Sequence, residues 1–350
     1  RHEISVYERN PRDNTFGWGV VFSAKTIGVL AEPDPALHRS ILRHLRTWED
    51  VDIVHRGETI SVAGNRFSGI ARLALLNVLR QRCEDVGVRL HFERSVEDPA
   101  ELGQVDLVVG ADGVGSALRK RFRNLFRPRL TLGGNRYIWY GTPQSFGGLT
   151  LIFRPHQGGM YMAHCYRYSP DMSTFIVEVD EETWASLRRR PESWARRHLR
   201  EVFAADLGGH PLLSNRSRWI RFTEVCNRHW WARNMVLLGD SLHTAHFSIG
   251  SGTKLAMESS IALWRAFQEH SKVEDALPAF EAARRPAVED YQAVAGRSQR
   301  WFESARSRMH LDPVSFAYEA MTRSSRLDAE VLERRDPAFV ARYRALAGRV

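Results

Sequence analysis

Apolar and polar positions along the chain fall into stretches of different rhythm. Ile4-Ser5-Val6-Tyr7-Glu8 alternates and ends on an acid, which predicts a short strand. Residues 10–14 form a turn cluster, and Gly17-Trp18-Gly19-Val20-Val21-Phe22 is a glycine-marked extended segment. Leu37, Ile41, Leu42 and Leu45 share one helical face and predict a helix over 35–48. Residues 51–54 and 58–62 read as a hairpin. Leu73, Leu76, Leu79 and Cys83 recur at helical spacing over 70–86, and Gly87 is the natural stop. A strand follows over 88–92. Residues 105–109 form a nearly continuous apolar run, expected of a strand buried on both faces of a parallel sheet. This recurrence of strands and helices argues for an α/β domain.

The middle of the chain changes character. Residues 137–140, 149–153, 160–166 and 174–179 are short runs rich in aromatic and β-branched residues, which predict a mostly antiparallel sheet inserted in the α/β domain. Residues 234–238 return as a buried strand, 253–269 and 273–285 are helical, and helical patterning continues to the end. The expected division is a first part of the α/β domain at 1–130, an inserted sheet at 131–225, a second part at 226–300, and C-terminal helices at 301–350 packed behind.

Composition narrows the class. Of 350 residues, 43% are apolar and 26% charged, which suits a globular protein with real cores. No apolar run approaches the ~20 residues of a membrane helix, and no signal-peptide pattern opens the chain. Three scattered cysteines form neither a zinc knuckle nor a disulfide framework, and a reducing cytoplasm suits them. The net charge of +9 comes from arginine-rich stretches such as Arg188-Arg189-Arg190. Such stretches fit solvated helix faces, or attraction to a phosphorylated small molecule such as NAD(P)H or a coenzyme A ester. No aromatic-basic reader motif points to nucleic acid.

Three places carry candidate chemistry. In the first, the apolar run through Leu107-Val108-Val109-Gly110 delivers Asp112-Gly113 to a strand end, where parallel sheets place ligands; Asp-Gly alone is also a common turn. In the second, Val236-Leu237-Leu238 delivers Gly239-Asp240. His243, His246 and a loop with Gly250 and Gly252 follow, and the loop opens a helix near Thr253-Lys254. Free N–H groups at such a helix start suit an anion or a polarised carbonyl. In the third, Glu8 ends the first strand, where an acid in a dinucleotide domain binds ribose hydroxyls. His243 and His246 lack a third ligand at metal spacing, so no metal is expected. No G-x-S-x-G elbow supports a hydrolase.

Taken together, these sites resemble the FAD-dependent aromatic monooxygenases with the para-hydroxybenzoate hydroxylase fold, which carry a ribose acid, an Asp-Gly and a Gly-Asp motif in this order. DNTFGWGVVFS (13–23), STFIVE (173–178) and LLGDSLHTAHFSIGSGTKLA (237–256) are similar to the monooxygenase portion of the salicylyl-CoA 5-hydroxylase and 2-aminobenzoyl-CoA monooxygenase branch. YIWYGT (137–142), Ala163-His164 and RMHL (308–311) also resemble the indole hydroxylase of the violacein pathway. The resemblance implies a Rossmann-like FAD domain with an inserted substrate sheet. It implies that Glu8 binds the adenosine ribose, Arg72 approaches the pyrophosphate, Asp112 and Gly113 contact FAD, and Gly239-Asp240 binds the ribityl chain. Gly250, Gly252, Thr253 and Lys254 would meet the flavin pyrimidine edge, and Trp18, Gly19 and Val20 would line the isoalloxazine.

The same resemblance implies that NADH or NADPH reduces FAD, O2 adds to it, and a flavin C4a-hydroperoxide hydroxylates an aromatic ring, expected as an aryl-CoA thioester. His164, Tyr166 and His246 are candidates for a base that activates the ring, and Trp139 and Tyr140 for substrate contact. A satisfied polar position in a sheet is the plainer reading of His164 and Tyr166. An indole or tryptophan-derived substrate is one alternative; a flavin-free, vestigial binding protein is another. The chain also departs from the family pattern. No G-x-G-x-x-G strand and turn precedes Glu8, so residues 1–350 alone are expected to bind FAD poorly and to aggregate. Ser259-Ser260 stands where an acid is usual. A separate reductase domain or protein is a candidate partner beside NAD(P)H, O2 and the aromatic substrate.

Overall fold

The computed structural model describes residues 2–250 and 252–348. Strands in the first third are β1 (Ser5–Tyr7), β2 (Gly19–Ser23), β3 (Arg46–Trp48), β4 (Val51–His55), β5 (Glu58–Val62), β6 (Phe67–Ala71), β7 (Arg89–His91) and β8 (Val108–Gly110). The remainder are β9 (Pro128–Thr142), β10 (Leu149–His156), β11 (Gly159–Arg167), β12 (Ser173–Val179), β13 (Leu213–Ser214), β14 (Ile220–Asn227), β15 (Trp231–Ala232) and β16 (Met235–Leu237). Helices that position the site are α1 (Arg72–Asp85), α2 (Ala117–Arg121), α3 (Gly252–Glu269), α4 (Val273–Glu303) and α5 (Pro313–Thr322).

The parallel strands form two pairs. β1 lies beside β7, and β8 lies beside β16 with Val109 opposite Val236. The runs at 105–109 and 234–238 therefore share a sheet. Among the described residues β1 and β8 each have one neighbour only. That explains a departure from the sequence reading. Val105 and Val109 are 40% and 43% exposed, not buried on both faces, while Val236 and Leu237 are sealed under α3 and α4.

Eight strands build the large sheet in the order β13-β9-β12-β11-β10-β4-β5, with β14 also on β9. It reaches outside 131–225, because the 51–62 hairpin supplies its far edge and β10 runs parallel to β4. That hairpin turns on Arg56 and Gly57, at φ 53° and 84°, the two positive values a tight two-residue hairpin turn requires. Successive side chains alternate between the faces. Ile138, Tyr140, Phe175, Val177, Ala163 and Cys165 point to one face, packed under Leu199, Phe203 and Leu207. The other face buries Ile53, Leu151, Phe153 and Met162 against Trp301, Phe302 and Phe316. The C-terminal helices thus pack on this second face and not behind the sheet, because that is where its large apolar side chains project.

Two helix boundaries also differ. The helix at Pro35 ends at Leu42, and residues 46–48 become β3, which pairs with β6 and buries Trp48. Ile70 and Ala71 belong to β6, so α1 begins at Arg72. Its buried face centres on Leu75. Leu73 is 37% exposed. Gly87, at φ 82°, ends the segment as expected. Among the described residues no helix is long and apolar enough to cross a membrane.

Candidate active site

The ends of β8 and β16 lie side by side, and each delivers a turn at its carboxyl end. After β8, the Asp112 carboxylate accepts hydrogen bonds from the Ala117 and Leu118 N–H groups at 2.6 and 3.2 Å, bracing its own loop at the start of α2. Gly113 (φ 79°) closes the same loop. Arg119, almost fully buried, donates to the Ser241 carbonyl at 2.7 Å and to Val114 O. Ser241 Oγ in turn reaches Leu238 O at 2.6 Å and Gly110 O. The Asp-Gly and Gly-Asp turns are therefore stitched into one rigid floor. Asp112 and Arg119 act there first as structural braces, a role the motif alone does not reveal.

Asp240 is differently placed. Its side chain is exposed to solvent, with protein atoms close around it. Confinement raises its carboxyl above the usual range, and nearby Arg72 draws it back. Arg72 is set by α1: its N–H meets the Trp18 carbonyl (2.9 Å) and its Nε meets Thr15 Oγ1 (3.2 Å). Glu8 stands at the end of the other parallel pair and accepts from the Asn10 N–H and Nδ2, both at 2.7 Å.

The extended segment before β2 is pinned to the large sheet. Gly19 N–H donates to Thr174 Oγ1 at 3.1 Å, and the Tyr166 hydroxyl donates to Gly19 O at 2.9 Å. Trp18 lies on Gly141, where a Cβ would stand 2.5 Å from its ring, and Trp139 lies on Gly17 in the same manner at 2.9 Å. Both indole N–H groups are sealed from solvent with no partner. Gly250, at φ 62°, brings the next loop against Val21. In that loop His246 Nδ1 meets Ser248 Oγ (2.8 Å), and Phe247 packs on Tyr137 at 4.6 Å between ring centres.

Strand register shows what lies between these two anchors. Trp139, Ile176, His164 and Leu151 are cross-strand neighbours in one row. One step along, the next row is Gly141, Thr174 and Tyr166, under the Trp18-Gly19 segment. On the other side lies Tyr137, Glu178 and Met162, with Phe247 over Tyr137. Glu178, 1% exposed, accepts from His164 Nε2 at 3.0 Å and from Asn135 Nδ2 at 2.8 Å. Burial works to raise its carboxyl, but the His164 bond, the fields of His246 and His164, and the Asn135 bond carry it below the ordinary value. Burial drives His246 down to about 4, so its imidazole is neutral near pH 7.

The expected residues divide accordingly. Trp18 and Arg72 meet through the Arg72 N–H bond to the Trp18 carbonyl, Arg72 lies near Asp240, and Gly250 stands against Val21, two residues from Gly19. The Val20 side chain instead joins the core beside Phe22 and Ile70. Gly252 and Thr253 open α3, whose preceding residue, Ser251, lies outside the described residues. Lys254 turns away: its Nζ pairs with Glu258 at 2.5 Å and stands over Tyr291. Tyr140 points to the opposite face from Trp139 and sits fully buried in the rear core, so it cannot share a pocket with it. Burial pushes the Tyr166 hydroxyl far above the phenol range, and its proton is committed to Gly19 O; a base role for it is excluded. Sequence reasoning missed Tyr137, Glu178 and Phe247. The signal for Glu178 is an acid between the apolar run Phe175-Ile176-Val177 and Val179. A separate cavity of about 500 Å³ opens between α4 and β14 and shares no lining residue with the expected set.

Glycine turns at paired strand ends, a confined carboxylate without a partner, and two orphaned indole N–H groups fit a large polar cofactor with a flat ring system. Residues 81–295 match the family described as FAD binding domain. The chain belongs to the FAD-dependent aromatic monooxygenases. It is 39% identical to salicyloyl-CoA 5-hydroxylase from Streptomyces sp., over 97% of this chain and 68% of that protein. It is 40% identical to 3-hydroxy-4-methyl-anthranilyl-[aryl-carrier protein] 5-monooxygenase of Streptosporangium sibiricum, over 86% of this chain and 82% of that one. Protodeoxyviolaceinate monooxygenase of Chromobacterium violaceum is 35% identical, over 89% and 85%. Among solved structures, 2-methyl-3-hydroxypyridine-5-carboxylic acid oxygenase superimposes with a TM-score of 0.73 at 18% identity, over 95% of this chain and 91% of that one. The para-hydroxybenzoate hydroxylase-like fold and FAD as cofactor follow.

Proposed function

We propose that this monooxygenase hydroxylates an aromatic ring presented as an acyl thioester, with NADH or NADPH as electron donor and O2 as oxygen source. The observation that carries this reading is the pair of relatives near 40% identity, one named for a coenzyme A ester and the other for a ring on an aryl-carrier protein. The site supports it. Trp139 and Phe247 offer flat aromatic surfaces and Ile176 an apolar one beside Trp139, with His164 packed on Phe247, where it would meet an ionisable ring substituent.

Bound FAD supplies the redox chemistry and the activation of oxygen. The chain's residues hold and shelter it. Asp240 would accept from cofactor hydroxyls, the first turn of α3 would face the ring carbonyls, and Trp18 and Trp139 would keep water off the ring. We assign the FAD domain to 1–130 and 226–300, less the 51–62 hairpin, the substrate sheet to 131–225 together with that hairpin, and the packing helices to 301–350.

A second reading takes an indole or tryptophan-derived substrate, favoured by the 35% relative. Nicotinamide oxidation and product formation by FAD-loaded protein separate the two. Turnover with salicyloyl-CoA or 2-aminobenzoyl-CoA, and none with free salicylate or tryptophan-derived indoles, is the expected outcome. Turnover of the indoles alone overturns the thioester reading.

A further inference from the structure

Glu178 is a carboxylate near the end of β12, almost wholly buried on one face of the sheet. Desolvating a charge costs several kcal/mol unless partners compensate, and replacing such groups by apolar ones is often neutral or stabilising. Its partners here are directional. One oxygen takes the Asn135 amide, which fixes the carboxylate plane; the other takes His164 Nε2. The His164 ring is itself held between Phe247 and Phe302, at 5.2 and 4.7 Å between centres. Nδ1 of His164 has no hydrogen-bond partner among the described residues. Its row lies between the row under the Trp18-Gly19 segment and the row under Phe247.

From this arrangement we infer that Glu178 is the positioning residue of a Glu178–His164 pair, and that His164 Nδ1 accepts the proton of the substrate's ring hydroxyl or amino substituent. The inference rests on the aromatic-hydroxylase reading and deepens it. The carboxylate holds the proton on Nε2, so the lone pair is on Nδ1 and faces the substrate. In the step, the substrate O–H (or N–H) bond breaks and its electron pair stays on the heteroatom, enriching the ring. The proton forms a bond to Nδ1, and the imidazolium is stabilised by Glu178, which stays ionised. No oxidant or other reactant is consumed. The other candidates cannot replace it: Tyr166 has committed its proton to Gly19, and His246 is held at about 4 with Nδ1 already on Ser248. The pair also defines specificity. Rings with an ionisable substituent are substrates, and unsubstituted benzoyl thioesters are not.

Two readouts test this on the FAD-loaded protein. The first needs no substrate: 15N-histidine NMR at pH 7.5, with His164 assigned by its loss in H164N. Expected is an Nε2–H tautomer in the wild type and a loss of that preference in E178Q; a proton on Nδ1 in the wild type overturns the proposal. The second is the pH profile of salicyloyl-CoA hydroxylation. E178Q is expected to lower kcat by about 10–100-fold with KM little changed, E178D to recover part of it, and H164N to lose ~10²-fold or more. Unchanged kcat in E178Q and H164N overturns the pair even if hydroxylation proceeds. Absence of any thioester turnover overturns the substrate reading instead, and the NMR result then decides the pair by itself.

Discussion

Two buried histidines make the stability of this protein steeply dependent on pH. His243 and His246 are each about 3% exposed, and burial drives both from the ordinary 6.5 down to about 4. His243 is locked by Ser259 (3.0 Å) and His246 by Ser248 (2.8 Å). A histidine whose folded pKa is depressed gives up nothing above its unfolded value. Below 6.5 the unfolded chain takes up the proton and the folded one does not, so stability falls until the folded pKa is reached. At pH 5.0 each ring accounts for about 2 kcal/mol, the two together for about 4, against a typical total of ~5–15 kcal/mol. His55 and His198 shift in the same direction and add to the loss. Glu178, with its lowered pKa, loses its contribution only below its unfolded value near 4.5 and does not enter this window. Urea unfolding at saturating FAD, at pH 7.5 and 5.0, is the assay. Expected is a drop of about 4 kcal/mol or more, roughly halved in H243Q. A drop under about 1 kcal/mol, or an H243Q profile parallel to wild type, would refute the claim that these rings are buried neutral.

Three further outcomes follow from the site. Asp240→Ala is expected to lose most bound flavin, because it removes the carboxylate we assign to the cofactor hydroxyls; equal flavin per chain after gel filtration would move the ribityl site elsewhere. Gly141→Ala drives a methyl into the Trp18 ring and, by displacing the Gly17–Gly19 segment, is expected to shift the bound-flavin absorbance and weaken retention; an unchanged spectrum would show that Trp18 does not touch the cofactor. Tyr166→Phe removes one hydrogen bond to Gly19 and is expected to cost about 1 kcal/mol of stability while hydroxylation persists; abolished turnover with normal flavin content would restore Tyr166 as a catalytic group.

Much of this fold is local enough to be legible in the chain. The 51–62 hairpin is announced by two short strand-like runs a few residues apart, and the helix at 72–85 by Gly87. Strand-end acids mark Glu8, Asp112 and Asp240 because each follows a short strand-like apolar stretch in the sequence, although only the run before Asp240 is buried. What fails locally is phase. Leu73 and Leu75 are equally apolar, and the neighbours of α1 decide which is buried. Residues 46–48 follow a helical pattern until pairing with β6 outbids it, a tertiary contact no window contains.

The site shows the same division more sharply. Trp139 and Tyr140 are separable by the two-residue period of a strand alone, since adjacent side chains must leave on opposite faces. Which face meets the flavin is not a local property. It depends on Gly141 lying under Trp18 and Gly17 under Trp139, contacts more than a hundred residues apart in the chain. Glu178 and His164 are likewise fourteen residues apart on different strands. They come together because the β11–β12 register sets Met162 opposite Glu178 and His164 opposite Ile176, leaving a diagonal that a long carboxylate can span. A register shift of one residue would send His164 into the rear core and leave Glu178 buried without its partner, a cost of several kcal/mol. The buried pair therefore does two things at once. It is the feature of the pocket best suited to moving a proton, and it penalises every pairing of these strands but the one that builds the pocket.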